Sequence, residues 1–322
     1  MCWNIFTATN YTSINMKILV TGGAGFIASQ IADAFIDEGH EVHILDNLST
    51  GFEKNINPKA HFIKSDISSP SILEIFSKEK FDVVNHHAAQ IDVRKSVNDP
   101  IFDANTNILG TINLLQACIK TGVKKFMFAS TGGAVYGEQE YFPADEKHPT
   151  NPVSPYGITK LTIEKYLFFY NNEYGLNHTI LRYANVYGPR QNPFGEAGVV
   201  AIFANKLLKN ENPIINGEGI QTRDYVFVED VVKSNVFTLS SDTSNIFNVG
   251  TEIETSVNQL FEKLNRISGD VAVEKHGSTP KGEQLRSVIT SDKLFKEFKW
   301  KPSVKIEEGL KKTFDSFKTN IK

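Results

Sequence analysis

A doubly wound parallel α/β sheet is the fold this sequence predicts. Two observations predict it: a glycine-rich turn between an apolar strand and an amphipathic helix within Lys17 to Ala28, and a strand/helix alternation that continues as far as Thr131. Ile18-Leu19-Val20 is a short β-prone run that stops at Thr21 and meets Gly22, Gly23 and Gly25. Phe26, Ile27, Ile31, Ala32, Phe35 and Ile36 then recur at the spacing of a helix packed on a sheet. The free N–H groups and positive dipole end of that helix suit a pyrophosphate, and the glycines allow it close to the backbone.

Glu41-Val42-His43-Ile44-Leu45-Asp46 reads as a second strand ending in an acid. An acid about twenty residues past the glycines is placed to take ribose hydroxyls. Asp46 would repel a 2′-phosphate, and Asn47-Leu48 offers no arginine to receive one, so NAD is expected rather than NADP. The third small position is Ala28, where glycine is usual, so helix and strand are expected slightly farther apart.

His61-Phe62-Ile63-Lys64 is a third strand, after which Asp66 either binds an adenine amino group or caps a helix from Pro70 to Phe76. Phe81 to Ala89 forms a fourth, running into small residues beside the expected cofactor crevice. Its adjacent His86 and His87 point to opposite faces and have no Cys, His or Asp partners at ligand spacing, so no metal is expected there. A long helix from about Pro100 to Thr121 leads to a fifth strand, Lys125 to Ala129, and to the rim Ser130-Thr131-Gly132-Gly133.

Beyond a proline-rich loop, Tyr156-Gly157-Ile158-Thr159-Lys160 opens a helix that runs to Tyr174. Four-residue spacing puts Tyr156 and Lys160 on one face. A tyrosine titrates near 10, so a phenolate base at neutral pH needs a depression of roughly 3 units, about 4 kcal/mol. Lys160 and the positive ring of a bound nicotinamide would supply much of it in a partly dry site. With Thr131 holding the reacting hydroxyl, the set Thr131, Tyr156 and Lys160 describes an alcohol/ketone hydride-transfer centre.

The 322-residue chain is 40% hydrophobic with a formal charge of −3, which suits a soluble enzyme. Lys and Arg are spread out and slightly outnumbered by acids, arguing against a nucleic-acid partner. No apolar run approaches a membrane span, and two cysteines, Cys2 and Cys118, make no disulfide framework, so the cytoplasm is the expected compartment. Residues 1–15 are expected to be a flexible extension, or Met16 the natural start.

Taken together these motifs resemble the extended short-chain dehydrogenase/reductases, and within them most closely the UDP-hexose 4-epimerases. The likeness runs from Met16 almost to the C-terminus. It rests on Thr21 to Ile27, Asp46 to Gly51, His87-Ala88-Ala89-Gln90, Ala129 to Gly137, the Tyr156/Lys160 pair, Leu181 to Arg190 and Arg223-Asp224-Tyr225-Val226. It implies a Rossmann domain over 16–187, with a later segment at about 226–250 returning to it, and a mainly nucleotide-sugar lobe over 188–322. NAD is expected on Gly22, Gly25, Phe26, Ile27, Asp46, Asn47, Asp66, Ile67, Ala88, Tyr156 and Lys160. A UDP-sugar is expected on Ser130, Asn185, Val199, Ile215, Arg223, Arg286 and Ser287, with nucleotide contacts along Ala197 to Phe203 and Ile214 to Asn216. Arg223 would pair with phosphate or, structurally, with an acid such as Asp224. Lys281 or Arg286 would replace an arginine that relatives carry before Gly282-Glu283, and the small Ser287 would leave room for a 2-acetamido group.

Related dehydratases and decarboxylases place acids after the equivalent threonine or serine, whereas Gly132-Gly133-Ala134 stands here. C4 epimerisation of UDP-glucose/UDP-galactose, and of the N-acetyl forms, through a transient 4-keto sugar is therefore the expected reaction. A uronate epimerase, decarboxylase, dehydratase or non-catalytic NAD-binding protein is the alternative. A homodimer through the helices near Pro100 to Thr121 and Gly157 to Tyr174 is implied.

Overall fold

The structure, a computed structural model, describes residues 15–194, 198–278 and 284–320. β1 (Lys17–Thr21), α1 (Phe26–Asp37) and β2 (Glu41–Asp46) form the first unit, and β3 (His61–Lys64), α2 (Ile72–Glu79) and β4 (Val83–His86) continue the alternation. Helices α3 (Val93–Asn98), α4 (Pro100–Ala104) and α5 (Gly110–Thr121) lead to β5 (Lys125–Thr131), and α6 (Pro155–Tyr174) leads to β6 (Asn177–Tyr183). A second lobe begins with β7 (Asn185–Tyr187), α7 (Val199–Leu208), β8 (Ile214–Asn216) and β9 (Thr222–Phe227). The chain returns to the first sheet through α8 (Val228–Leu239) and β10 (Asn245–Val249). It finishes with β11 (Glu254–Ser256), α9 (Val257–Ser268), β12 (Lys275–Gly277), β13 (Arg286–Ser287), α10 (Asp292–Phe298) and α11 (Ile306–Asn320).

Seven parallel strands form the main sheet in the order β10-β6-β5-β4-β1-β2-β3. Such sheets are covered on both faces, which is why β1 reads as a continuous apolar run. Leu19 packs with Leu45, Val84 and Phe76 on one side, while Ile18 and Val20 pack with Ala28, Ile31 and Phe35 of α1 on the other. Each of the Val, Leu, Ile and Phe side chains among them contributes about 1.5–3 kcal/mol by burial. Strand order reverses between β1 and β4, and a crevice at their carboxyl ends is where such folds bind ligands.

The second lobe has its own core, in which Tyr187, Phe203, Ile215, Phe227, Leu260 and Phe314 meet. It is pinned to the first by Arg190, whose Nη2 donates to Asp33 Oδ2 at 2.7 Å, and by Gln30 Nε2, which donates to the Pro189 carbonyl at 3.0 Å. Val226 and Phe227 pair with the second lobe's sheet, and the return to the first begins only at α8.

Three local expectations are corrected. The helix placed at Pro70 to Phe76 runs Ile72–Glu79 with Ser71 at its N-cap, so Asp66 caps nothing; its Oδ1 instead accepts from the Ser68 N–H at 2.8 Å. The fourth strand ends at His86: the His87 N–H is shared between the Thr21 carbonyl and Thr21 Oγ1, both at 3.2 Å, and the Ala88 N–H turns to the same Oγ1 at 3.2 Å. The long helix is interrupted by a π-type turn at Asn105–Leu109, where the Asn107 side chain grips Gln90 through both its N–H and its carbonyl. Wide turns of this kind occur mostly as single insertions inside α-helices, frequently at functional sites.

A buried ion pair locks α6 to the sheet. Arg182 on β6 donates from Nε to Glu164 Oε1 at 2.9 Å and from Nη2 to Oε2 at 2.5 Å, with both side chains almost fully buried. Ser130 Oγ donates to the same carboxylate at 2.6 Å, and Arg182 Nη1 reaches Tyr136 Oη at 3.0 Å. Removing one partner strands a buried charge, which costs about 3–5 kcal/mol, whereas removing both leaves none. Arg182→Met is therefore expected to lower stability to chemical denaturation by about 3–5 kcal/mol, and Glu164→Leu/Arg182→Met to recover much of it. Equal losses in the single and double variants would show that the pair is not what holds α6.

Candidate active site

The cofactor cradle begins at Gly22, whose φ of +69° favours glycine. A Cβ there would stand 2.8 Å from the Ala88 nitrogen, so the turn and the β4 rim are in direct backbone contact. Gly25 donates its N–H to the Gly22 carbonyl at 2.9 Å, closing the turn ahead of α1, whose N-cap is Gly25 and whose first residues are Phe26 and Ile27. Ala28 is buried in the α1 core, so the extra methyl is accommodated. Asp46 is nearly buried at the end of β2, its carboxylate oriented by the Ala24 N–H at 3.0 Å and the Leu48 N–H at 2.7 Å. Asn47 and Asp66 are brought together, Asn47 Nδ2 donating to Asp66 Oδ2 at 2.6 Å. Burial works upward on the Asp66 carboxyl, but bonds from Ser68 and Asn47 outweigh it and hold the pKa low. Ile67 beside it is buried against Gly110. A glycine turn that a side chain would fill, a positive helix end and a pre-oriented carboxylate fit an NAD molecule.

Below this rim, Thr21 Oγ1 also meets His86 Nδ1 at 2.7 Å, and His86 Nε2 meets Thr111 Oγ1 at 2.8 Å. His87 turns the other way, its Nε2 3.1 Å from Tyr183 Oη. Burial, reinforced by Lys160, pushes His86 well below its usual pKa and His87 down to about 3, so both rings are neutral.

Tyr156 enters the site at the start of α6, which Ser154 caps by accepting from the Gly157 N–H at 3.2 Å. The Tyr156 N–H donates to Ser96 Oγ on α3 at 3.2 Å. One turn on, Lys160 is buried, with Nζ donating to the Ala129 carbonyl at 2.9 Å and lying 4.8 Å from the Phe128 ring and 5.9 Å from the Tyr156 ring. Burial draws its pKa down to about 8, against the upward pull of Asp103 and Glu164. Thr131 and Tyr156 both line a cleft of about 300 Å³ between the lobes, together with Phe26, Tyr183, Asn185 and Val199. Among the described residues, that lining contains no carboxylate.

The other expected substrate residues are placed unequally. Ser130 reaches the cleft wall, but its hydroxyl is engaged by Glu164. Ile215 is fully buried in the second core, on β8 paired with β12, and offers no exposed atom to the cleft. Arg223 Nη1 donates to the Thr222 carbonyl at 2.8 Å, while the Asp224 carboxylate accepts from Thr251 and Glu252, so the two are not each other's partners. Ser287 is buried in register with Arg223, off the cleft lining. Arg286 is exposed, ion-paired to Glu254 at 2.5 Å and stacked 3.8 Å from the Phe142 ring. Lys281 and Ala197 lie outside the described residues.

Sequence reasoning missed Glu164, which continues the Tyr156/Lys160 face at the next i+4 position. It also gave no role to Asn107, whose Nδ2 lies 3.1 Å from Asp103 Oδ1 and 3.3 Å from Thr159 Oγ1 behind the tyrosine. The helical spacing held the first signal; the π-type turn that aims Asn107 has no local sequence signature.

The model of the NAD dependent epimerase/dehydratase family matches residues 18–250. This chain belongs to that family, among the extended short-chain dehydrogenase/reductases. A putative UDP-glucose 4-epimerase of Methanocaldococcus jannaschii is 48% identical over 303 residues, covering 94% of this chain and 99% of the relative. The solved UDP-glucose 4-epimerase of Thermotoga maritima with UDP-glucose is 46% identical, with a TM-score of 0.94 over 95% of this chain and 100% of that one. The Thermus thermophilus UDP-glucose 4-epimerase in complex with NAD is 40% identical, with a TM-score of 0.89 over 94% of this chain and 99% of that one.

Adding a side chain at Gly22 is expected to strain the left-handed turn by about 1–3 kcal/mol and to press on Ala88. Gly22→Ala should accordingly be purified with less NAD than wild type, as read by absorbance of the acid-released nucleotide. Undiminished occupancy would place the pyrophosphate elsewhere.

Proposed function

We propose that this chain interconverts UDP-hexoses at C4, through a transient 4-keto sugar, with a retained NAD. The observation that carries the reading is the cleft itself, which joins Thr131 and Tyr156 above a buried Lys160 and presents no carboxylate among the described residues. Elimination of water needs an acid to handle the departing group, and the described lining supplies none.

Gly22, Gly25, Asp46, Asn47 and Asp66 would hold the cofactor, with Phe26, Ile27, Ile67 and Ala88 packed around it. A bound NAD supplies a hydride acceptor for C4 that can return the same hydride. Tyr156 takes the proton of the sugar 4-hydroxyl, Lys160 holds the resulting charge pattern in a dry site, and Thr131 orients the hydroxyl by hydrogen bonding. Asn185, Val199 and Arg223 anchor the nucleotide, so the keto sugar can turn its other face to the ring without leaving. Remote binding energy is thus used at a distance from the reacting carbon. Ser287 is proposed to bound the sugar end, its small side chain admitting a 2-acetamido group once a substrate opens the lining beside it, and Arg286 to take the place of the arginine that relatives carry before Gly282-Glu283, exchanging Glu254 for the substrate.

The proposed state is a cytoplasmic homodimer. Ile101, Leu109 and Phe168 are 73%, 57% and 63% exposed on the packed α4 to α6 face, an apolar surface that suits a second copy. No helix of the described residues is long and apolar enough to cross a membrane.

Incubating the protein, without added NAD, with UDP-glucose, UDP-galactose, UDP-N-acetylglucosamine and UDP-glucuronate tests the reaction by mass and proton NMR. Equal-mass C4 epimers, absent with Tyr156→Phe, are expected; loss of water or carbon dioxide would reassign the chemistry. The Lys160 cation favours the phenolate, so its removal raises the tyrosine pKa. Lys160→Met should therefore move the acid limb of the kcat–pH profile upward by about 1 unit or more, each unit being worth about 1.4 kcal/mol. An unmoved limb would exclude Lys160 from tuning the base. Phe168→Glu is expected to yield monomers by light scattering, and an unchanged dimer would put the interface elsewhere.

A further inference from the structure

At the end of the sheet opposite the cofactor cradle, three metal-ligating side chains converge. Glu41 and His43 are two apart on β2 and project from one face, and His61 is the in-register neighbour of His43 on the parallel edge strand β3. The ligating atoms of the three all lie within 4.8 Å of one another. His43 Nε2 meets Glu41 Oε1 at 2.9 Å, and the two imidazoles stack with centroids 4.6 Å apart. A second observation also points to a ligand. His43 is only 4% exposed, yet its Nδ1 has no hydrogen-bond partner, and Glu79 Oε2 from the last turn of α2 stands behind it at 3.9 Å. A carboxylate behind the far nitrogen is how proteins orient a metal-binding histidine, leaving the near nitrogen for the ion.

We propose that Glu41, His43 and His61 form a divalent transition-metal site, suited to zinc, that ties β2 to the edge strand β3. Two imidazoles and one carboxylate are a borderline-soft donor set of the kind zinc takes, with a position left for water. Ligand atoms on a tetrahedral zinc are roughly 3.4 Å apart. Glu41 and His43 already approach that spacing, and exposed His61 closes the triangle by side-chain rotation. Lys17 Nζ stands 2.8 Å from Glu41 Oε1 and 3.7 Å from Glu79 Oε2, so the lysine keeps a carboxylate partner when an ion takes Glu41. The ion would act structurally. Glu41 and Asp46 are the two ends of β2, about 17 Å apart at strand rise, so the metal does not touch the reacting centre.

The test titrates zinc into tag-free, chelator-stripped full-length protein in competition with a chromophoric chelator. One zinc per chain is expected, with affinity at least about tenfold weaker in His61→Asn and in Glu41→Gln. Zinc should raise the melting temperature of wild type and not of either variant. His61 is exposed, so metal-free His61→Asn should melt as wild type does, and C4 epimerisation should be unchanged in both variants. Sub-stoichiometric binding, or wild-type affinity retained in both variants, overturns the site.

Discussion

The buried ammonium of Lys160 is the constraint on which the rest of the site depends. Holding a cation out of water beside Phe128 is costly, and the drop of its pKa to about 8 reports that cost. The surroundings offset it in kind: the Ala129 carbonyl accepts one N–H, and Asp103 and Glu164 add negative charge from either side. Those two carboxylates are themselves fixed, Glu164 by Arg182 and Ser130, Asp103 by Gln90 and Asn107. The electrostatics of one tyrosine thus reach through α4, α6, β5 and β6, and the π-type turn before α5 belongs to the same arrangement.

The neighbouring histidines fit this field. His86 and His87 are both neutral because burial penalises the charged imidazole and the nearby Lys160 cation adds to that, and each is used as a hydrogen-bonding strut between strand ends. His86 links Thr21 to Thr111, and His87 links β4 to Tyr183, which also accepts from Asn235 Nδ2 at 2.8 Å. The rim is therefore rigid where the cofactor meets it. The cleft above is bounded by the second lobe, which Arg190 and Gln30 dock onto α1.

Much of this is legible in the chain. The glycine turn, the acid at Asp46 and the i, i+4 pair Tyr156/Lys160 are local patterns whose geometry follows from strand and helix periods, and they place the crevice and its base. Asp66 is ambiguous because a single acid before a helix suits either a cap or a ligand; only the folded loop puts Asn47 and Ser68 on it. Ser130 reads in sequence as facing substrate, but strand alternation turns its hydroxyl away from Thr131 and toward Glu164. Arg286 reads as the replacement for an arginine that relatives carry, yet it pairs with Glu254, 32 residues away in sequence, a pairing no local pattern contains. The same reason hides Glu41, His43 and His61, which meet only through the β2/β3 register.

In the proposed reaction, hydrogen leaves C4 as hydride and returns to the same carbon within one closed site. Conversion of UDP-glucose carrying deuterium at C4, in ordinary water and without added NAD, tests it directly. UDP-galactose with the deuterium retained at C4 is expected. Product carrying solvent hydrogen there would contradict it, because C4 would then have been inverted by proton exchange rather than by hydride return.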